Sequence, residues 1–398
     1  MPSALEISCG SISEPDTDIT TTAAEERILK SEATYSIGTL DGRLNRAQTK
    51  HVIGLLSAAH PRAIFDMVTV ADPSSNRRSS SELFTAHSPS ELDVLLERLI
   101  DGEYQLLDIA AEDMVRPLPN ELVIAAVPSR GTPYDALLHK GGLIADDLPE
   151  GTRVGVLSLR SQAQIAAIWP SLRPKLIYGG AVSALDSYLQ NDQVDALVLP
   201  ATQAELLGVQ DIVSEIFFPE MMLPGAGQGT IIILARKNDE DTIAMAKDIH
   251  SEASYREVLA ELAFRERICS DQDCQVGVLA QAGDEEMILT GAIGSPSGSS
   301  QDQAVLRGDV LASVELGQRL AERLLVSRTS LVDLLEADFP DGLPDIGPDD
   351  EDEYLVQDTT LNELDESALE NLGVDPEPDI DIPDDDPLDD FAEPRDDY

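Results

Sequence analysis

Between residues 34 and 236 the chain alternates short apolar runs with amphipathic stretches, and no other feature constrains its fold as tightly. "YSIGT", "AIFDMVTV", "YQLLDIA" and "LVIAAVP" are strand-length, whereas Asn45 to Ala59 and Pro89 to Ile100 space their apolar residues as helices do. The pattern then restarts. "RVGVLSL", "PKLIY" and "DALVLP" read as strands, with helices at "RSQAQIAAIW", Val182 to Gln190 and Thr202 to Leu207. Strands alternating with helices predict parallel pairing and ligand sites at the C-terminal strand ends. "GTIIILAR" is a further β-rich run that can return to the first sheet. After Asn238 two helical stretches flank His250. "QVGVLAQA", "MILTGAI" and "AVLRGDV" then suggest a small antiparallel sheet, closed by a helix from Leu316 to Leu325.

The ends of the chain differ from this body. Residues 1–33 are rich in Thr, Ser and Glu, and 24 of the 75 acidic residues fall between Asp341 and Tyr398, where Arg395 is the one base. Neither segment has enough apolar surface to offset the entropy of ordering, so both are expected to be disordered. The remaining body is itself acidic within a net charge of −48, which argues against general nucleic-acid binding, where Lys and Arg neutralise phosphates. The start "MPSALEISCG" has neither the basic nor the apolar region of a secretory signal. No apolar run reaches the roughly 18 residues a membrane span needs. Three cysteines, Cys9, Cys269 and Cys274, are sparse and odd in number, which disfavours a disulfide framework and favours a reducing, cytoplasmic setting.

Short motifs exclude more than they identify. The chain has no Walker loop, paired CxxC, HExxH or GxSxG. "GAGQG" at Gly225 to Gly229 precedes a strand, whereas a dinucleotide fingerprint follows one, so it reads as a crossover loop. Cys274, in the polar "SDQDCQVGVLAQ", could be packing, a metal ligand, a nucleophile or a covalent anchor. Asp113 after a strand reads equally as a turn residue, and Arg160 as a solvated first-turn arginine.

Taken in serial order, these segments resemble the hydroxymethylbilane synthase (porphobilinogen deaminase) family. "GTLDGRLNRAQ" from Gly38 is similar to that family's GTRGSPLALAQ, and "DGEYQLLDIAAEDMV" from Asp101 to DGEYDLAVHSMKDLP. "IAAVPSRGTPYDALL", "LPEGTRVGVLSLRSQAQ" and "LPGAGQG" follow at matching spacing, and "QDCQVGVL" is similar to the cofactor loop GGCQVPIG. The resemblance implies two periplasmic-binding-protein-like α/β domains plus a small α+β C-terminal domain, with disordered acidic termini. Their bounds would be 34–130 with 227–238, 131–226, and 239–330 carrying the cofactor cysteine, between an N-terminal extension of 1–33 and a tail of 331–398. It further implies a dipyrromethane cofactor in thioether linkage to Cys274, with Ser158 and Arg160 binding it. Asp113 would be the catalytic carboxylate, both a base and a fixed counter-charge. Family enzymes add four porphobilinogen units, losing ammonia each time, and release a linear tetrapyrrole. The expected partner is that small molecule, with no nucleic acid or membrane, and a monomer.

The chain departs from the family at its cations. Leu40, Glu112, Ser161, Tyr178 and Ala184 stand where the family motifs carry Arg or Lys that meet substrate carboxylates. Ala110 replaces a serine, Gln272 and Asp273 replace glycines, and Gly277 replaces a proline. Arg43, Arg46 and Arg116 are the candidates to bind substrate in their place, with Arg77 and Arg78 nearby in sequence. Two functions follow: an active transferase with relocated cations, or a catalytically degenerate homologue serving as an anion-binding or regulatory module.

Overall fold

A computed structural model of the chain describes residues 33–70, 89–114, 118–190, 193–269, 275–294 and 301–338. The predicted N-terminal extension and almost all of the acidic tail lie outside these residues, as do Cys274, Arg77, Arg78 and Arg116.

The first sheet has the order β2-β1-β3-β10-β4. Its strands are β1 (Thr34–Leu40), β2 (Ile64–Val70), β3 (Leu106–Ala110), β4 (Leu122–Ala126) and β10 (Ile231–Arg236). Helices α1 (Arg43–Ala59) and α2 (Pro89–Asp101) connect its parallel strands. Val52 and Leu56 of α1 pack on one face and Leu92, Leu95, Leu96 and Leu99 of α2 on the other. With both faces covered, strands become near-continuous apolar runs, which explains "IIILA". Gly38 of β1 is required by packing: a Cβ there would lie 2.3 Å from the ring of Tyr104, whose hydroxyl donates to the carbonyl of Leu95.

The second sheet repeats the plan as β7-β6-β8-β5-β9. It is built from β5 (Asp135–Leu138), β6 (Arg153–Val156), β7 (Arg173–Leu176), β8 (Ala196–Pro200) and β9 (Val213–Phe217). Helix α3 (Leu159–Ile168) covers one face, and α4 (Gly180–Gln190) with α5 (Ala201–Leu207) covers the other. In each sheet one strand runs antiparallel to the rest, β10 in the first and β5 in the second, and each is paired on both sides. The expectation of parallel pairing holds only for the βαβ units. The antiparallel strands arise where the chain crosses between sheets, after β4 and again before β10.

The third sheet is an antiparallel meander of β11 (Val276–Ala282), β12 (Glu286–Gly294) and β13 (Gln301–Asp309). A short helix α6 (Glu240–Ala246) precedes α7 (Glu252–Ile268), and α8 (Ser313–Asp338) follows the sheet. Phe264 of α7 and Leu316 and Leu320 of α8 share a core with Val278, Met287 and Leu289. Among the described residues no helix is long and apolar enough to cross a membrane.

One buried ion pair joins these parts. Glu261 of α7 is fully buried and accepts from Arg130 Nη1 at 2.7 Å, Arg130 Nη2 at 3.1 Å, the Gly227 amide at 2.7 Å and the Ala280 amide at 2.8 Å. Arg130 lies on the outward crossover and also donates to the Gln228 carbonyl on the return. Removing one partner of such a pair strands the other charge in the interior. Glu261→Ala is therefore expected to cost roughly 3–5 kcal/mol in denaturant unfolding. Arg153→Ala, which breaks the half-exposed pair with Asp195, should cost no more than about 1 kcal/mol.

Candidate active site

Strand β3 ends in a single 3-10 turn, Ala111–Asp113, where the sequence analysis placed its catalytic carboxylate. Three elements fix this turn. The Ala111 amide donates to the Thr230 carbonyl at 2.9 Å. Arg265 of α7 reaches across with Nη1 on the Glu112 carbonyl at 2.8 Å and Nη2 on the Met114 carbonyl at 2.6 Å. Gly227, at φ +78°, lies against it so closely that a Cβ would be 2.9 Å from that of Ala111. Asp113 is 2% exposed within this frame.

Opposite the turn stands the start of α3. Ser158 caps it, accepting from the Ser161 amide at 3.1 Å, and the two hydroxyls are 2.8 Å apart. Such a helix start presents backbone amides to an anion. Arg160 is not the solvated residue that its position in the sequence allowed. It is buried, with Nη1 2.8 Å from Asp135 Oδ2 and Nη2 donating to Asp135 Oδ1 at 3.1 Å. It also donates to the Leu223 carbonyl at 2.8 Å and to Gln228 Oε1 at 3.2 Å. Its charge is thus matched by Asp135 before any ligand arrives.

Glu112 of the turn and the helix start line an open cavity of about 110 Å³, to which Asp135, Gln203, Gly225, Arg265 and Val276 also contribute. A second cavity of about 250 Å³ is lined by Gln48, His51, Gln203, Glu205 and Thr230. Glu112 lines both. Its Oε1 lies 3.6 Å from where a Cβ on Gly225 would stand, with Gln228 Oε1 at 3.4 Å and Arg160 Nε at 3.8 Å from the same point. Burial, and then the charge of Asp113, push the Glu112 carboxyl up to about 7, against the pull of Arg160 and Arg265. Burial also holds Arg265 below the usual guanidinium value.

The other sequence candidates fall elsewhere. Arg43 opens α1 and donates to the Leu207 carbonyl at 3.2 Å, while Arg46 is half-exposed and 3.4 Å from Asp41. Both line an opening with Lys50, His51 and Glu205, the last two of which also line the second cavity. Arg116 and Cys274 lie outside the described residues. Sequence reasoning treated Glu112 only as a lost lysine and did not find Arg265, Asp135 or Gln203. Arg265 sits in the helical "AFRERI" among other charges, and only tertiary packing distinguishes it. Cys269 is disulfide-bonded, which the sparse and odd cysteine count did not point to. An odd count leaves one thiol over but permits one bridge, and the chain's other cysteines, Cys9 and Cys274, lie outside the described residues.

Two α/β units of matching strand order, joined by a double crossover to a small α+β unit, with a cleft at strand C-terminal ends, define the class. Comparison with known proteins narrows it. The family model "Porphobilinogen deaminase, dipyromethane cofactor binding domain" matches residues 35–244. The porphobilinogen deaminase of Roseiflexus sp. (strain RS-1) is 32% identical over 299 residues, covering 73% of this chain and 96% of the relative. That of Bacillus subtilis (strain 168) is 30% identical, covering 72% and 91%. The chain belongs to the porphobilinogen deaminase family. Among solved structures, the methionine binding protein MetQ aligns at 14% identity over 57% of this chain and 91% of its own, with a TM-score of 0.35.

The family implies a dipyrromethane group, and the cavity residues fit one. Flat pyrrole faces suit the apolar walls of Leu157, Ala181, Val198, Leu199 and Ala226. Gln203 Oε1 is buried with no hydrogen-bond partner among the described residues, an acceptor of the kind a pyrrole N–H satisfies. Hydroxyls and guanidinium groups at Ser158, Ser161, Arg160 and Arg265 line the same cavity and would be the groups to meet its carboxylates.

The Glu112 shift has a stability consequence. A carboxyl whose folded value lies above its unfolded 4.5 binds more protons folded than unfolded between the two, so stability falls as pH rises from 4.5 through 7. Wild type should lose up to about 3 kcal/mol across that window relative to Glu112→Gln, read from paired denaturant unfolding series at pH 5 and pH 7.5.

Proposed function

We propose that this chain is a hydroxymethylbilane synthase, a transferase that joins four porphobilinogen units on a dipyrromethane cofactor held by Cys274. The observation that carries the reading is the cleft itself. A turn whose Glu112 carboxyl lines an apolar-walled cavity, with Asp113 buried beside it, faces a serine-capped helix start, within a chain that spans nearly the full length of its relatives. When bound, the cofactor supplies the ring to which the first substrate is joined.

The residues divide the work by chemistry. Asp113, buried in the turn, is the counter-charge for cationic pyrrole and the group that exchanges its protons. Ser158 and Arg160 bind cofactor carboxylate at the helix start. Arg43 and Arg46, on the opening that adjoins the second cavity, meet the acetate and propionate of incoming substrate, and Arg116 follows Asp113 closely enough in sequence to join them. Three domains, 34–130 with 227–238, 131–226 and 239–330, would carry these groups. The alternative, a degenerate anion-binding homologue, draws on the internal pairing of Arg160 with Asp135.

Intact mass spectrometry tests this directly. Wild type and Cys274→Ala are compared before and after incubation with porphobilinogen, each with and without a thiol reductant, because Cys269 is disulfide-bonded. The expected result is a Cys274-dependent gain of two pyrrole units in the reduced protein, followed by stepwise additions. An unmodified mass in the reduced wild type would overturn the synthase reading and leave the anion-binding one.

A further inference from the structure

Glu112 is a cavity residue to which the resemblance gives no role, since a lysine stands there in the family motif. The structure gives it a position of its own. It lines both cavities, and its Oε1, Arg160 Nε and Gln228 Oε1 all lie within 4 Å of the space that a Cβ on Gly225 would fill. Its main chain is clamped by Arg265, so the side chain projects from a fixed turn. The charged groups around it are Asp113 in its own turn, Asp135 from β5, Arg160 from α3 and Arg265 from α7, with His51 and Glu205 on the second cavity.

We propose that Glu112 is a second catalytic carboxyl, which receives the aminomethyl end of porphobilinogen and supplies the proton that leaves with ammonia. The inference rests on the synthase reading and deepens it. The aminomethyl nitrogen is the basic end of an otherwise anionic substrate, so a carboxyl recognises it where a lysine would repel it. When the C–N bond breaks, its electron pair goes to nitrogen and positive charge remains on the pyrrole. A neutral amine takes its third proton from the Glu112 carboxyl, which becomes carboxylate. The ring that forms the new C–C bond loses one proton, which restores the carboxyl, so one ammonia leaves and the proton count closes. A carboxyl that titrates near neutrality is suited to both transfers.

Two measurements on the full-length protein test this. In the first, the side-chain carboxyls of 13C-labelled glutamate are titrated by NMR, with Glu112→Gln assigning the resonance. The expected midpoint is near 7, and one in the ordinary carboxylate range would overturn the proposal whatever the activity. In the second, ammonia release from porphobilinogen is followed against pH for wild type, Glu112→Gln, Glu112→Asp and Glu112→Lys, each confirmed folded by thermal unfolding. Wild-type kcat should fall above pH 7, Glu112→Gln should lose this limb with about a 100-fold lower kcat, and Glu112→Asp should retain it. Should Glu112→Gln or Glu112→Lys match or exceed wild type across the profile, the proposal fails while the synthase reading stands. Absence of ammonia release from reduced wild type would overturn both.

Discussion

Glu261 is the constraint on which the rest of the structure depends. Its two oxygens take four hydrogens from three separate places: the outward crossover at Arg130, the return crossover at Gly227 and the first strand of the third sheet at Ala280. A fully buried carboxylate is expensive to desolvate, and little net stability is expected from the pair itself. What it supplies is register between three sheets that otherwise meet through short crossovers. Gly227 presses directly on Ala111, so the residue that accepts from Gly227 also sets the turn that carries Glu112 and Asp113. Arg265, one helical turn along α7 from Glu261, grips the same turn by two of its carbonyls. The site is therefore held from the third unit, not only by the sheet from which its residues come.

Charge within the cleft is largely settled among the protein's own groups. Arg160 is matched by Asp135 and shares its remaining reach with Leu223 and Gln228. Arg265 spends hydrogen bonds on backbone carbonyls. A substrate with several carboxylates thus meets fewer uncommitted cations than the family motifs would provide. Salt screens such interactions at the surface but much less where groups are buried. The balance shifts recognition toward ring faces, N–H groups and the substrate's basic nitrogen, for which apolar walls, Gln203 and the carboxyls are suited.

Most of the architecture was legible because both faces of each α/β sheet are covered, so strands and helices announce themselves by periodicity. β5 and β9 escaped notice for opposite reasons. "DALL" is only four residues long, too short for any period, and "VSEIF" mixes polar and apolar residues because most of its side chains are only partly buried. The carboxylate turn was legible through its resemblance to a motif; the partner of Arg160 was not, because Asp135 lies 25 residues away on another element. Glu112 was read as a deficit because a substitution can be compared with a motif, whereas a pKa is made by burial and neighbours from four elements. The bridge at Cys269 was not legible, because counting thiols says nothing about which of them meet.

The duplicated strand order accounts for where the chemistry sits. In each α/β unit the parallel strands end on the same side, and the segments after β3, β6 and β8 supply Glu112, Ser158 with Arg160, and Gln203. The antiparallel strands β5 and β10 enter both sheets beside these ends, bringing Asp135 and the Gly225–Gly229 loop into the same space. Two crossovers are needed for this, and they must run close together: the Gly131 amide donates to the Gly229 carbonyl at 3.0 Å. That closeness excludes side chains at the contact, and at Gly225 of the same loop Glu112 Oε1 and Arg160 Nε each lie within 4 Å of the space a Cβ would fill. A carboxyl so placed is desolvated by the crossover and faces its own neighbour Asp113, which raises its proton affinity without any ligand present. The fold that joins the two units is thus also what prepares the proton.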